Sequence, residues 1–268
     1  MTFRERIGFD AGKQRLEEAL EWAVRHRFCY VDFNADRLHA LDAWDPARVR
    51  ALRETCERHD IHLGLHTLSG VNVAEFSAHV SGAVDDYLRA NLDLARRLGC
   101  EWVIVHAGYH FGSELAWRRA ASVERLKRVA ADAERLGLPL LLENLNPEPA
   151  RAEVHYLPDT IEECRRYFEQ IPSARFGWAF TVNHAHLTPA GVHGFLDAFG
   201  VERIGEVRLA DNTGEYEVHL RPGEGTIDFG ALFRRLETAG YRRHYTMAFG
   251  SIEDKVRARD DFARFARG

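Results

Sequence analysis

Cysteine is scarce in this chain and neither sign of charge dominates, and both shortages narrow the chemistry. The four cysteines, Cys29, Cys56, Cys100 and Cys164, are widely spaced in 268 residues with no CxxC pair. Neither a thiolate zinc site nor a disulfide framework is indicated, and reduced, structural thiols are expected. Thirty-six Lys plus Arg against 41 Asp plus Glu leaves a net charge of −5, the wrong balance for a protein that relies on broad attraction to nucleic acid or anionic lipid. No run approaches the roughly 18 apolar residues of a membrane span, and the opening MTFRERIGFDAGKQR lacks a signal-peptide core. No nucleic-acid or membrane partner is expected, and the expected compartment is cytoplasmic. Neither GxGxxG nor GxxxxGK(S/T) occurs, and the 8 prolines build no Pro/Gly/Ser linker that would divide the chain. Nucleotide-binding readings lose ground accordingly.

What is present is 46% hydrophobic residues, enough for a sizeable core, and 14 histidines. Short apolar runs alternate with amphipathic stretches rich in Arg, Glu, Ala and Leu, the pattern of repeated βα units around a parallel sheet. Eight strands are predicted, beginning near Ile7, Tyr30, His62, Trp102, Leu138, Phe176, Ile204 and Arg243. Gly99, Gly137, Gly200 and Gly240 close helical stretches, while Asp45-Pro46 and Thr188-Pro189 read as helix starts. Eight units in this length predict an α/β protein, one (β/α)8 TIM barrel spanning 1–268 as a single domain.

In such a barrel the chemistry gathers where the strands end. The predicted strands end on or pass Asp10, then Asp32 and Asn34, then His66, His106 and Glu143, with Asn144 and Asn146 just after it. The sixth leads into Thr181, Asn183, His184 and His186, and the seventh delivers Arg208 and Asp211, followed by Glu217 and His219. A lone histidine or aspartate at such a place is commonly structural or a helix cap. Several imidazoles and a carboxylate converging on one mouth are costly to bury unless they share a ligand, a metal or a charge partner. His26, His59, His79, His193 and His244 read as surface or packing residues on or beside helices, whereas His110 and His155 fall in strand-following loops within reach of a ligand.

Four motifs in order, VIVHAG (103–108), LLLENLNP (140–147), FGWAFTVNHAHL (176–187) and VRLADNTGEYEVHLRPGEGTIDF (207–229), resemble those of the xylose isomerase-like TIM-barrel superfamily, the sugar phosphate isomerase/epimerase-like proteins. The resemblance covers nearly the whole chain. It implies a divalent ion, Zn, Mn or Mg, held by Glu, Asp, His and Glu on strands five to eight. Only Glu143 matches, because the other three positions hold Thr181, Arg208 and Ala248. A guanidinium can pair bidentately with a carboxylate, so a Glu143–Arg208 ion pair in place of the ion is expected. Endonuclease IV-like members add histidines and an acidic-x-His pair, matched here by His66, His106, His184 and Glu217-Val218-His219. A displaced ion held by His66, His106 and Glu143, or by His184 and His219, is the alternative those residues leave open.

The activity implied by the resemblance is a sugar, cyclitol or keto acid isomerase or epimerase that moves a proton beside a carbonyl. On that reading Glu143, His184 and Arg208 are catalytic, as base, second acid/base and oxyanion stabiliser. His66, His106, Asn144, Asn146, Asp211, Glu217 and His219 bind substrate, and Trp178, Trp102 and Tyr109 are candidate apolar faces for a sugar ring, with core packing the alternative for the two tryptophans. The partner expected is a small sugar-like molecule, and the resemblance implies a homo-oligomer. The competing readings are a non-catalytic carbohydrate-binding or regulatory barrel and an endonuclease IV-like nuclease. The Gly223 and Gly225 turn is only a weak pointer to phosphate.

Overall fold

The alternation predicted from the sequence closes on itself. The computed structural model describes residues 1–36 and 41–265, with the side chains of residues 42, 264 and 265 left aside. Its strands are β1 (Ile7–Asp10), β2 (Tyr30–Phe33), β3 (His62–His66), β4 (Trp102–Val105), β5 (Tyr109–His110), β6 (Leu140–Glu143), β7 (His155–Tyr156), β8 (Phe176–Thr181), β9 (Ile204–Leu209) and β10 (His244–Met247). Eight of them form a closed parallel barrel in the order β1-β10-β9-β8-β6-β4-β3-β2, so the fold is a (β/α)8 TIM barrel. The remaining two, β5 and β7, pair antiparallel as a small ribbon after β4 and β6, with Tyr109 opposite Tyr156 and His110 opposite His155. All eight predicted strands are found. The last begins at His244, one residue after the expected Arg243, and His244 itself lies in the sheet, which corrects its reading as a residue on or beside a helix.

The punctuation behaves as the residues dictate. Asp45 accepts hydrogen bonds from the amides of Ala47 and Arg48, with Pro46 opening the helix Pro46–His59. Gly99 takes a φ of 74° that a side chain resists and ends the helix Ala78–Leu98. Thr188 accepts from the Gly191 amide, and the helical run there starts at Gly191, two residues beyond Pro189. Among the described residues no helix is long and apolar enough to cross a membrane.

Strand residues alternate between the helix-packed face and the barrel interior. The interior carries its own small cluster, Tyr30, Trp102, Ile104, Leu141 and Ala179, distinct from the large core under the helices. A Cβ on Gly64 would lie 2.2 Å from the Tyr30 hydroxyl oxygen, so glycine there leaves room for the phenol ring. Above this aromatic layer sits Glu206, fully buried, accepting from the Tyr30 hydroxyl and from Trp102 Nε1 at 3.1 Å. Higher still come Asp32 and Arg208, and then the mouth.

Candidate functional site

The mouth holds a cavity of about 310 Å³, within the range of small-molecule sites. Its walls include His66 from β3, His106 just past β4, Glu143 at the end of β6, Thr181 at the end of β8, and Arg208 from β9. His184, on the short helix Val182–His186, and Glu217 and His219, in the long loop after β9, complete the polar lining.

Two His–Glu–His triads stand in this cavity. In the first, His66 Nε2 and His106 Nε2 are 3.1 Å apart and lie 3.1 and 2.9 Å from Glu143 Oε2. The other Glu143 oxygen accepts from the Thr181 hydroxyl at 2.5 Å. In the second, His184 Nε2 and His219 Nε2 are 3.3 and 2.9 Å from Glu217 Oε1. His184 Nδ1 faces the Asn144 carbonyl at 2.9 Å and His219 Nδ1 faces the Ala248 carbonyl. A carbonyl only accepts, so each Nδ1 carries a proton, and the Nε2 edge of each ring is turned toward Glu217. Glu217 Oε2 is buried without a partner.

The electrostatics follow from this crowding. Burial alone would raise the Glu143 carboxyl, but hydrogen bonds from His106 and His66 hold it well below the usual range. Burial and Arg208 oppose protonation of His66, yet Asp32 and Glu143 outweigh them and raise its pKa to about 9. Burial pushes His106 down. Glu217, which burial would raise, is brought to about 2 by His184 and His219. Both triads therefore keep a carboxylate ionised against imidazole nitrogens.

Arg208 is the centre of a second charge system. Its guanidinium, only 5% exposed, pairs through Nη1 with Asp32 and with Glu206 at 2.8 Å, and through Nη2 with Asp10 at 3.2 Å. Glu143 is the most distant of the four, reaching Nε at 3.8 Å. The expected bidentate Glu143–Arg208 pair is thus corrected: Asp32, Glu206 and Asp10 take the fork, because they lie on the same interior face of β1, β2 and β9. Burial opposes the Arg208 cation, but Asp32 and Glu206 outweigh it and fix the charge.

The donor sets decide where an ion fits. The quartet implied by the resemblance does not, since Thr181, Arg208 and Ala248 supply a hydroxyl, a cation and a methyl group beside Glu143. The triads do fit. Zinc at 2.0–2.1 Å from its ligands sets them about 3.3 Å apart, near the separations in both triads, and the unpartnered Glu217 oxygen is a free ligand atom.

Most of the sequence-predicted residues meet at this cavity: His66, His106, Glu143, Asn146, His184, Arg208, Glu217 and His219 all line it. Asn144 and Asp211 do not, and their expected contact with substrate hydroxyls gives way to a bracing role. Asn144 is fully buried, accepting from Trp178 Nε1 and the Thr181 amide and donating to the Thr181 carbonyl. Asp211 is also fully buried, its two oxygens accepting from the amides of Asn212, Gly223, Gly225 and Ile227. Trp102 and Trp178 are core residues and Tyr109 is not part of the wall; the ring that faces the cavity is Tyr156. His110 and His155 stack on each other at 5.5 Å across the ribbon and stay out of the cavity. Glu206 went unnoticed in the sequence, although a glutamate two residues before Arg208 in one strand must share its inward face.

The sequence profile described as xylose isomerase-like TIM barrel matches residues 20–265. The chain belongs to this family. Among its relatives are an uncharacterised protein of Methanocaldococcus jannaschii, 25% identical over 92% of this chain and 83% of the other, and fructoselysine 3-epimerase of Escherichia coli, 23% identical over 96% and 95%. A solved D-tagatose 3-epimerase-like protein superposes with a TM-score of 0.87 at 23% identity, over 98% of this chain and 97% of that one.

Proposed function

We propose that this barrel is a sugar epimerase or isomerase that moves a proton at a carbon beside a carbonyl, on an unphosphorylated ketose, cyclitol ketone or keto acid. The observation that carries the reading is one cavity of about 310 Å³ in which an ionised carboxylate, imidazoles and a fixed guanidinium face each other. The names of the relatives, a fructoselysine 3-epimerase and a D-tagatose 3-epimerase-like protein, support sugar chemistry.

Glu143 is the proton acceptor, oriented by Thr181 through one oxygen. His184, held by the Asn144 carbonyl through Nδ1, acts from the neighbouring wall with a second proton on Nε2: it delivers that proton to the carbon, Glu143 keeps the one it removed, and both groups are reset by exchange with solvent. Arg208 spends three of its five N–H groups on Asp32, Glu206 and Asp10, which leaves one Nη2 hydrogen and the loosely engaged Nε hydrogen for the oxygen on which negative charge develops. Its carboxylate partners hold it still, so that stabilisation needs no rearrangement. His66, His106 and Glu143, and His184, Glu217 and His219, are the residues that would hold divalent ions, which when bound supply Lewis-acid polarisation of substrate oxygens. Asn146 and Tyr156 shape the wall around the ring.

The test is deuterium exchange from heavy water into a panel of free ketoses, inosose-like cyclitols and keto acids, with zinc or manganese present. At least one class should exchange beside its carbonyl, and Glu143→Gln should slow this by about 10²- to 10⁴-fold. A panel that binds without exchange would establish a binding protein instead.

A further inference from the structure

At the other end of the barrel three side chains converge that the mouth does not use. His62 opens β3, Glu101 directly precedes β4, and His244 opens β10. His62 Nδ1 bonds Glu101 Oε1, and His244 Nε2 lies 3.4 Å from Glu101 Oε2. We propose that His62, Glu101 and His244 form a structural site for a divalent transition ion, zinc by its ligand chemistry, which ties the floor of the barrel together.

Four observations support it. The three ligand atoms lie within 4.8 Å of one another, a spread that one ion can gather, and two imidazoles with a carboxylate suit zinc. His244 is 4% exposed, and its Nδ1 has no partner, so the polar contact of this buried ring is the Nε2 edge aimed at Glu101. Tyr30 stacks flat on that ring at 4.4 Å and fixes its orientation, as groups behind metal ligands do, and Asp60 adds a negative charge 3.8 Å from the far nitrogen of His62. His62 and Glu101 are 27% and 35% exposed, which gives an ion access from solvent.

The topology gives the site a purpose. In the barrel order β10 is separated from β3 by β1 and β2, so an ion here joins strands that share no ladder. Tyr30, Trp102 and Glu206 lie between this floor and the mouth, so the proposal stands whether or not the mouth binds metal or turns over a sugar.

The test uses the full chain stripped with chelator and titrated with zinc alone. The wild type should bind one equivalent more than His62→Ala or Glu101→Gln, both altered at half-buried positions. At 100-fold excess over Kd, zinc should raise the Tm of the wild type by about 5 °C more than that of either variant. Crystals grown with zinc should show anomalous density between the three residues. That density settles the matter even if the variants do not fold: its presence at the floor supports the site, and its absence at saturating zinc overturns it, as does equal stoichiometry in folded wild type and variants.

Discussion

Arg208 and Glu206 show how one residue's chemistry depends on the charge beneath it. Glu206 is buried against Asp32, and burial together with that negative neighbour raises its pKa to about 7 from an ordinary 4.5. The sign follows from linkage. Between pH 4.5 and 7 the unfolded chain gives up this proton before the folded one does, so the folded state loses ground as pH rises, and nothing further is lost above about 7. In urea unfolding the stability of the wild type relative to Glu206→Gln should therefore fall by up to about 3 kcal/mol across that window and then level off. A difference that stays flat with pH would show that Glu206 is ionised throughout. Which carboxylates would surround Arg208 was not legible from strand ends alone. Asp10, Asp32 and Glu143 were visible there, but the share each takes of one guanidinium depends on how β1, β2, β6 and β9 are staggered around the closed barrel.

Among the elements, the end of β6 does more than present Glu143. Asn144 clamps it to the turn from β8 into the helix Val182–His186, and the Asn144 carbonyl sets the His184 ring. Asn144→Ala should cost about 3 kcal/mol in urea unfolding, because the indole N–H of Trp178 and the Thr181 backbone lose buried partners. Asn146→Ala, which loses only a bond to Glu148, should cost under about 1 kcal/mol. Similar losses from the two would remove the clamp. The long strands were readable because periodicity and glycine punctuation agree along each of them. The ribbon β5–β7 was not, since two residues per strand carry no period, and its pairing is made by segments 45 residues apart. His244 was grouped with the helix histidines although the strand expected from near Arg243 runs through it, and the register of β10 with β9 places it inside the barrel.

For the whole molecule, the same charge distribution that favours a small polar ligand disfavours DNA. Arg208 is the one permanent cation among the described residues that line the mouth, and carboxylates already neutralise it. Binding to a phosphate backbone needs unpaired Lys and Arg, and the chain is acidic overall at −5. Loaded with zinc at about 0.15 M salt, the protein should neither retard nor cleave an abasic duplex in a gel assay; cleavage lost in His184→Ala would reverse this reading. The barrel itself was legible from eight alternating units. Its charge layout needed the third dimension, because β1, β2, β6 and β9 meet at Arg208 from across the ring.

The Asp211 loop bears on what the mouth can select. Glycine-rich turns hold phosphates by offering several backbone N–H groups to one anion, and Gly223 and Gly225 have the composition for that. Here the amides of Gly223, Gly225 and Ile227 are already taken by the Asp211 carboxylate. The turn is occupied by an anion of the chain's own making, held at the effective concentration of an intramolecular tether, and a phosphate ester arriving from solution would have to displace it. These amides are thus closed to an outside anion in the folded loop, whatever ligand the mouth takes.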